Sequence, residues 1–575
     1  MKRTTKIFTL VFSLLLLGIV AACATDDAAT AQTGVGTATQ PGATEAEIID
    51  MRSREGLDEN MRFIEPRTIS VALWDRSHDR IPNFNESYWA EWVQAQILQD
   101  HNIIVEWVPV PRWDEAEFQS TLLAAASAPD IGYTFNMGML TTFSQMGGMH
   151  DLAPLLNTYG DLLPNLYDLL GTNIYWNMDP ITGELFSIAG RLIVDGRNNM
   201  FVREDWLDAL NLDIPRTVEE FEEMLIAFRD NAELLLGDDA ANIIPYQVAA
   251  EIGWTIDPIL SSFIPNSLTE REWFRYSFDI RRFTVPGIKE GVRVINRWYH
   301  EGLLWDDFTV YDINQTMASD LIRLGYVGAF AGNWDFPFRA QDALITTMRE
   351  NQGPQANFIA IPPFRNDEGV SVNRMPNPVD RFMFLPVTNT EPLASLLYLD
   401  WISRPDVIEF LAFGIEGVHR YTHSDGAIEV LGETDDHSWP DHQFIPSLRN
   451  FDIAITINGI HLGDPVLDAR TLAFGYPGIS PEAIMYSRAA GLDFAYFPRN
   501  VVTRIRPTEE GMSVPLADQR EIMLAQLISV ATPDTFDSMW DNLFQQYLNL
   551  GAQAIINDRD AAWVEAFGDV DRMPD

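Results

Sequence analysis

Thr68-Ile69-Ser70-Val71-Ala72-Leu73-Trp74 alternates and is β-branched, as a half-buried strand should be. Downstream, Trp89, Trp92, Val93, Gln96 and Ile97 fall at helical spacing, and Ile103 to Val108 reads as a second strand. A helix is predicted from about Asp114 to Ala126, after which Pro129-Asp130 introduces a third strand from Ile131 to Phe135. The order βαβαβ favours right-handed crossovers and a mostly parallel sheet, with ligands gathering beyond the carboxyl ends of the strands. Those ends carry Trp74-Asp75 and Asn136.

Further along, Thr217 followed by Glu220 predicts a capping box, and Phe221, Met224, Leu225 and Phe228 share one face of the helix it opens. Leu324 to Phe330 reads as a strand and runs into Ala331-Gly332-Asn333-Trp334-Asp335, so a second Trp-Asp pair follows a strand. Ser403-Arg404-Pro405-Asp406 opens another helix with proline in the first turn, and Gly414 is placed to close it. There is no internal repeat. The pattern predicts two α/β lobes with the chain crossing between them.

The amino terminus carries Lys2, Arg3 and Lys6 and then an apolar run from Ile7 to Ala22, the pattern of an export signal rather than a membrane span. It ends in Val20-Ala21-Ala22-Cys23, which resembles the lipobox at which bacterial lipoproteins are acylated and cleaved. Cys23 is the only cysteine, so no intramolecular disulfide supports the fold. From Ala24 to about Thr44 small and polar residues predominate, which reads as a flexible tether. Extended to about Arg62, it would span roughly 35 Å. Asp and Glu total 83 against 39 Lys and Arg, a formal net charge of -44 that repels nucleic acid.

Catalytic signatures are missing. A P-loop needs Gly-Lys-Ser/Thr, and Lys289, the one lysine beyond the signal, follows Ile288. There is no Gly-x-Ser-x-Gly elbow, and no thiol remains after lipidation. His419, His423, His437 and His442, mixed with Asp425, Asp435, Asp436 and Asp441, match no known metal spacing and read as a polar loop. What remains is aromatic: 16 Trp, 16 Tyr and 33 Phe, several in polar company. Indoles stack on the apolar faces of sugar rings while Asp, Asn and Arg bond the hydroxyls, but any one aromatic equally serves as core. Paired carboxylates of a glycoside hydrolase remain open, since 83 acids supply many accidental pairs.

Several segments, in this order behind the lipobox, make the chain resemble the family 1 extracellular solute-binding proteins of bacterial ABC importers. They are Leu122-Leu123-Ala124-Ala125-Ala126-Ser127-Ala128-Pro129-Asp130-Ile131, Phe201-Val202-Arg203-Glu204-Asp205-Trp206-Leu207 and Trp298-Tyr299-His300-Glu301-Gly302-Leu303. To these are added Gly325-Tyr326-Val327-Gly328-Ala329 with Trp334, and Gly414-Ile415-Glu416-Gly417. The likeness is strongest to the large lipoprotein branch linked to oligosaccharide uptake. It implies a maltose-binding-protein-like, two-lobed periplasmic-binding-protein fold with an interlobe cleft and a hinge, and Trp334 as a cleft residue. Many relatives carry an acidic calcium loop after the helix that here ends near Arg229. Asp230 to Asp239 lacks its alternating oxygen ligands, so no metal and no other cofactor is expected.

The expectation is therefore a non-enzymatic, monomeric receptor on the extracellular face of the cell membrane, anchored through lipid at Cys23. It would capture an oligosaccharide or related polyol for ABC permease subunits, with Trp74, Asp75, Asn136, Trp334 and Asp335 lining the ligand site. A surface glycoside hydrolase and a glycan-binding adhesion or signalling lipoprotein are the alternatives. The expected division is signal 1–22, tether 23–62, lobe 1 over 63–190 and about 365–430, and lobe 2 over 191–364 and about 431–575. Cys23→Ser is expected to release the protein from the membrane fraction, and unchanged partitioning in detergent extraction would contradict the lipobox reading.

Overall fold

A computed structural model describes residues 42–75, 83–111, 114–179, 181–192, 198–249, 251–279, 281–310, 316–339, 342–366, 369–370, 379–431, 457, 464–476, 478–491 and 507–572. Cys23 lies outside these residues, as do His437 and His442. Among them no helix is long and apolar enough to cross a membrane.

The opening stretch forms β1 (Arg67–Asp75), and β2 (Ile103–Pro111) runs parallel to it from Arg67↔Ile103 to Asp75↔Pro111. Between them the helix Tyr88–His101 buries Trp89, Val93 and Ile97, and Asn102 ends it in the left-handed conformation (φ 58°). A parallel bridge from Val71 to Ile131 brings β3 (Gly132–Thr134) alongside β1. The expected βαβαβ unit is present. The sheet then becomes mixed: β9 (Val379–Phe384) lies antiparallel between β3 and β4 (Ile188–Arg191). A strand from late in the chain thus completes a sheet begun early, which local pattern does not reveal.

The second sheet has the order β6-β7-β5-β8, formed by Ile244–Gln247, Val327–Gly332, Asn199–Arg203 and Phe358–Ile361. Only β6 and β7 are parallel, and β5 is antiparallel to both of its neighbours. All residues of β5 and β7 are buried, as expected of central strands covered on both faces. The helix Val218–Asp230 packs Phe221, Met224, Leu225 and Phe228 into this core. Only half of its capping box forms. Thr217 accepts from the Glu220 backbone N–H, but the Glu220 carboxylate accepts from Arg216 N–H rather than from Thr217. The helix Pro405–Phe413 ends at Gly414 (φ 76°), as the sequence predicts.

Two large hydrophobic cores and two small clusters result among the described residues. One gathers side chains from Leu57 to Ile188, from Met383 to Leu411, and Ile457; the other runs from Met200 to Phe364 and from Ala412 to Ile555. Ala412, Phe413 and Ile428 pack in the second core and Ile457 in the first, so the chain changes sides more often after residue 411 than one boundary near 430 allows.

The second half of the segment 23–62 is folded. Thr44 and Glu47 form a capping box over the helix Glu45–Arg54, whose Ile48 and Met51 rest on the first core, and Leu57 and Phe63 are buried. Ala43 N–H donates to Asp161 (3.1 Å), and the Tyr159 hydroxyl donates to Glu55. These contacts outweigh the polar composition of the segment.

In the second lobe, Glu222 accepts both terminal nitrogens of Arg297 and the indole N–H of Trp298 (2.8 Å). The Arg297 guanidinium, aided by the indole, holds the Glu222 carboxyl below its ordinary value against the opposing effect of burial. A folded-state pKa below the unfolded one adds stability above the ordinary glutamate range, lost as pH falls through the depressed value. Because Arg297 is partly exposed, Glu222→Gln is expected to cost about 1 kcal/mol at neutral pH. That difference should shrink on denaturant titration as pH falls through the acid range, and a gap independent of pH would contradict it.

Candidate functional site

Strand polarity decides where a site can form. In the first sheet β1, β2, β3 and β4 end on one edge, at Asp75, Pro111, Thr134 and Arg191, and the antiparallel β9 begins on that edge at Val379. In the second sheet β6, β7 and β8 end on one edge, at Gln247, Gly332 and Ile361, and β5 begins there at Asn199. The chain leaves the first sheet at Arg191 and enters the second at Asn199; it returns from Ile361 to Val379. Both crossings join one carboxyl edge to the other, so the two edges border a common cleft, where open α/β sheets collect ligands.

On the first edge, Trp74 is 4% exposed and stacks on Phe135 at 5.4 Å and 17°, while its backbone N–H donates to the Tyr133 hydroxyl. Asp75 is exposed at the strand end. Asn136 caps the helix Met137–Gln145 by accepting from Met139 N–H (3.0 Å), a role the sequence reading did not assign. Behind this turn sits Glu115, 8% exposed, which accepts from the Thr134 hydroxyl, Phe135 N–H and Gln119. Gln119 in turn donates to the Tyr133 carbonyl.

On the second edge, Trp334 is 5% exposed and meets the Tyr476 ring edge-on at 5.8 Å. Its carbonyl accepts from the Ser487 hydroxyl (2.6 Å), and Ser487 accepts from Asn199 Nδ2 (3.1 Å). Asp335 receives two bonds from Arg339 (3.1 and 2.9 Å) and one from the Tyr476 hydroxyl (3.0 Å). Burial works against the Arg339 charge, but the Asp335 carboxylate outweighs it and the guanidinium pKa lies above its ordinary value. A carboxylate has about four acceptor positions, so three are filled here and about one is left for a ligand hydroxyl. Beside Asn199 on the same edge, a recess is lined by Asn198, Met200, Ser261, Ser262 and Pro362 to Phe364.

The structure therefore puts Trp74, Asp75 and Asn136 at the carboxyl edge of the first sheet and Trp334 and Asp335 at the carboxyl edge of the second. Both indoles are largely enclosed and belong to different cores. Sequence reading missed Glu115, Gln119, Asn199, Arg339, Tyr476 and Ser487. The adjacent amides Asn198-Asn199, just before an apolar strand, were a usable signal; Tyr476 and Ser487 had none, because they reach Trp334 and Asp335 only through the tertiary fold.

Of the clustered histidines, the two among the described residues make separate contacts. His419 is buried and its Nδ1 accepts from Ile415 N–H, whereas His423 stacks flat on Phe474 (4.5 Å, 1°) and bonds Glu429. Asp230 to Asp239 closes one helix and forms further helical turns. Among the described residues no group of three His, Cys, Asp or Glu is placed to hold a metal.

These features define a two-lobed α/β fold of the extracellular solute-binding type, as the sequence resemblance implies. The extracellular solute-binding protein from Bifidobacterium longum subsp. infantis superposes with a TM-score of 0.59 at 17% identity, covering 87% of this chain and 98% of that one. The alginate-binding protein AlgQ2 gives 0.57 at 15%, covering 88% and 99%. By sequence, the chain is 23% identical over 391 residues to the polygalacturonan/rhamnogalacturonan-binding protein YtcQ of Bacillus subtilis, 65% of this chain and 72% of that protein. No protein-family model matches the chain. All three similar proteins are binding proteins.

Because Trp334 fills a core, Trp334→Ala is expected to cost about 3 to 5 kcal/mol of stability in denaturant unfolding. An unchanged unfolding midpoint would contradict its placement.

Proposed function

We propose that this protein is an extracellular solute-binding component of an ABC importer, capturing an oligosaccharide or related polyol and delivering it to a membrane permease. The observation that carries the reading is the pair of crossings that set two carboxyl edges against one cleft. Such a cleft opens and closes about its crossings, and closure around a ligand gives the permease a distinct surface to recognise. The fold is shared with binding proteins, and the named relative is a polygalacturonan/rhamnogalacturonan-binding protein. The chemistry is capture without turnover.

In this reading Trp74 and Trp334 form the floor of the cleft, and the exposed rim bonds sugar hydroxyls through Asp75, Asn136 and Asp335. Lobe 1 is built chiefly from 63–190 and about 365–411, lobe 2 from 191–364 and the carboxyl-terminal helices. Lipid at Cys23 holds the protein at the outer face of the membrane through a tether that ends near Ala43, where the folded strap begins.

A thermal-shift and calorimetry panel of oligogalacturonides, alginate oligomers and neutral oligosaccharides tests the proposal. A true ligand at 100 times its dissociation constant stabilises by about 2.7 kcal/mol. Saturable binding with the sugar recovered intact is expected, whereas shortened products would establish a hydrolase. Asp75→Ala removes an exposed charged partner and should weaken binding about 10-fold with the melting temperature unchanged. Full affinity in that variant would remove Asp75 from the site.

A further inference from the structure

The turn that carries the second Trp-Asp pair is held by its own neighbours in sequence and also by residues from far along the chain. After β7 ends at Gly332, residues 333–339 turn through a short helical stretch, with Phe336 N–H bonded to Asn333 O and Phe338 N–H to Asp335 O. Two groups from the region of the helices Pro465–Ala473 and Pro481–Ala490 then grip it from outside. The Ser487 hydroxyl, fully buried, donates to the Trp334 carbonyl at 2.6 Å. The Tyr476 hydroxyl donates to Asp335 at 3.0 Å, while its ring meets the Trp334 indole edge-on. One backbone carbonyl, one carboxylate and one indole of the same turn are thus fixed by two residues more than 100 positions later.

Ser487 does more than hold the turn. Its hydroxyl and its carbonyl both accept from Asn199 Nδ2, at 3.1 and 2.6 Å, and Asn199 is the residue at which the chain enters the second lobe. Asn199 is 3% exposed, so the contact is shielded from water and each bond resists exchange with solvent. The crossing, the helix Pro481–Ala490 and the Trp334 turn are therefore joined through one side chain.

We infer that Tyr476 and Ser487 are positioning residues that lock the Asn333–Arg339 turn in its cleft-bordering conformation, so that ligand affinity is set by the carboxyl-terminal segment. The inference rests on the carbohydrate-receptor reading for its effect on affinity, and on geometry alone for its effect on the turn. Neither residue has to touch the ligand. Each acts through Trp334 and Asp335, and Ser487 also transmits the position of the crossing to the turn.

The test uses the full-length protein with three substitutions. Tyr476→Phe keeps the ring contact and removes the bond to Asp335; Ser487→Ala removes the hydroxyl's bonds to Trp334 and Asn199; Ser487→Thr retains a hydroxyl and serves as the rescue. Hydrogen exchange on the unliganded protein reads the Phe336 and Phe338 amides, and calorimetry reads affinity for whichever oligosaccharide of the panel binds the parent protein. Tyr476→Phe and Ser487→Ala are expected to speed exchange of those two amides by about 10-fold or more and to weaken binding about 10-fold, with Ser487→Thr near the parent in both. Unchanged exchange in both variants overturns the lock. Faster exchange with full affinity overturns the positioning role. If no sugar binds even the parent protein, the receptor reading falls, and with it the claim about affinity, while faster exchange would still establish the lock.

Discussion

Strand direction at the two crossings is the constraint on which the rest of this molecule depends. Arg191 leaves one sheet and Asn199 enters the other, and Ile361 and Val379 make the reverse passage, always from one carboxyl edge to the other. Had either crossing started from an amino edge, the strand ends bearing Trp74-Asp75 and Trp334-Asp335 would point away from one another. A helix that spans the cores, with Leu411 in one and Ala412 and Phe413 in the other, adds a third link. Arg381, fully buried at the start of β9, donates to the Arg191 carbonyl, and Arg191 N–H donates to Ile457, so three passages of the chain are fastened where they leave the first lobe.

The borders of the cleft are built differently. On the first side the support is local: Glu115 and Gln119, on the helix just before β3, fix the turn that follows β3. On the second side it is remote, supplied by Tyr476 and Ser487. In both, an indole is enclosed by aromatic neighbours and polar groups stand at the rim, a division of labour suited to a sugar, which has apolar ring faces and a hydroxylated edge.

Much of the fold was legible because its signals are local. Alternation and β-branching in residues 68–74, proline in the first turn at Pro405 and glycine at Gly414 each describe a structure within a few residues of themselves. The same reading failed wherever a distant partner decides. Small and polar residues predominate only to about Thr44; beyond it Thr44 and Glu47 spell a capping box, and Ile48 and Met51 are spaced for one helix face. Trp334 could be placed after a strand from sequence, but its enclosure depends on Tyr476, and its helical surroundings on Ser487. Arg339, four residues on, closes over Asp335, and that spacing on a helical turn is readable in the sequence.

Capture of a ligand between the two lobes requires the lobes to close on it. Small-angle scattering of the protein with and without a saturating oligosaccharide measures that closure directly. A smaller radius of gyration is expected in the bound state, because rotation about the crossings brings the two carboxyl edges together. A radius of gyration unchanged at saturation would contradict it and leave a rigid surface site in its place.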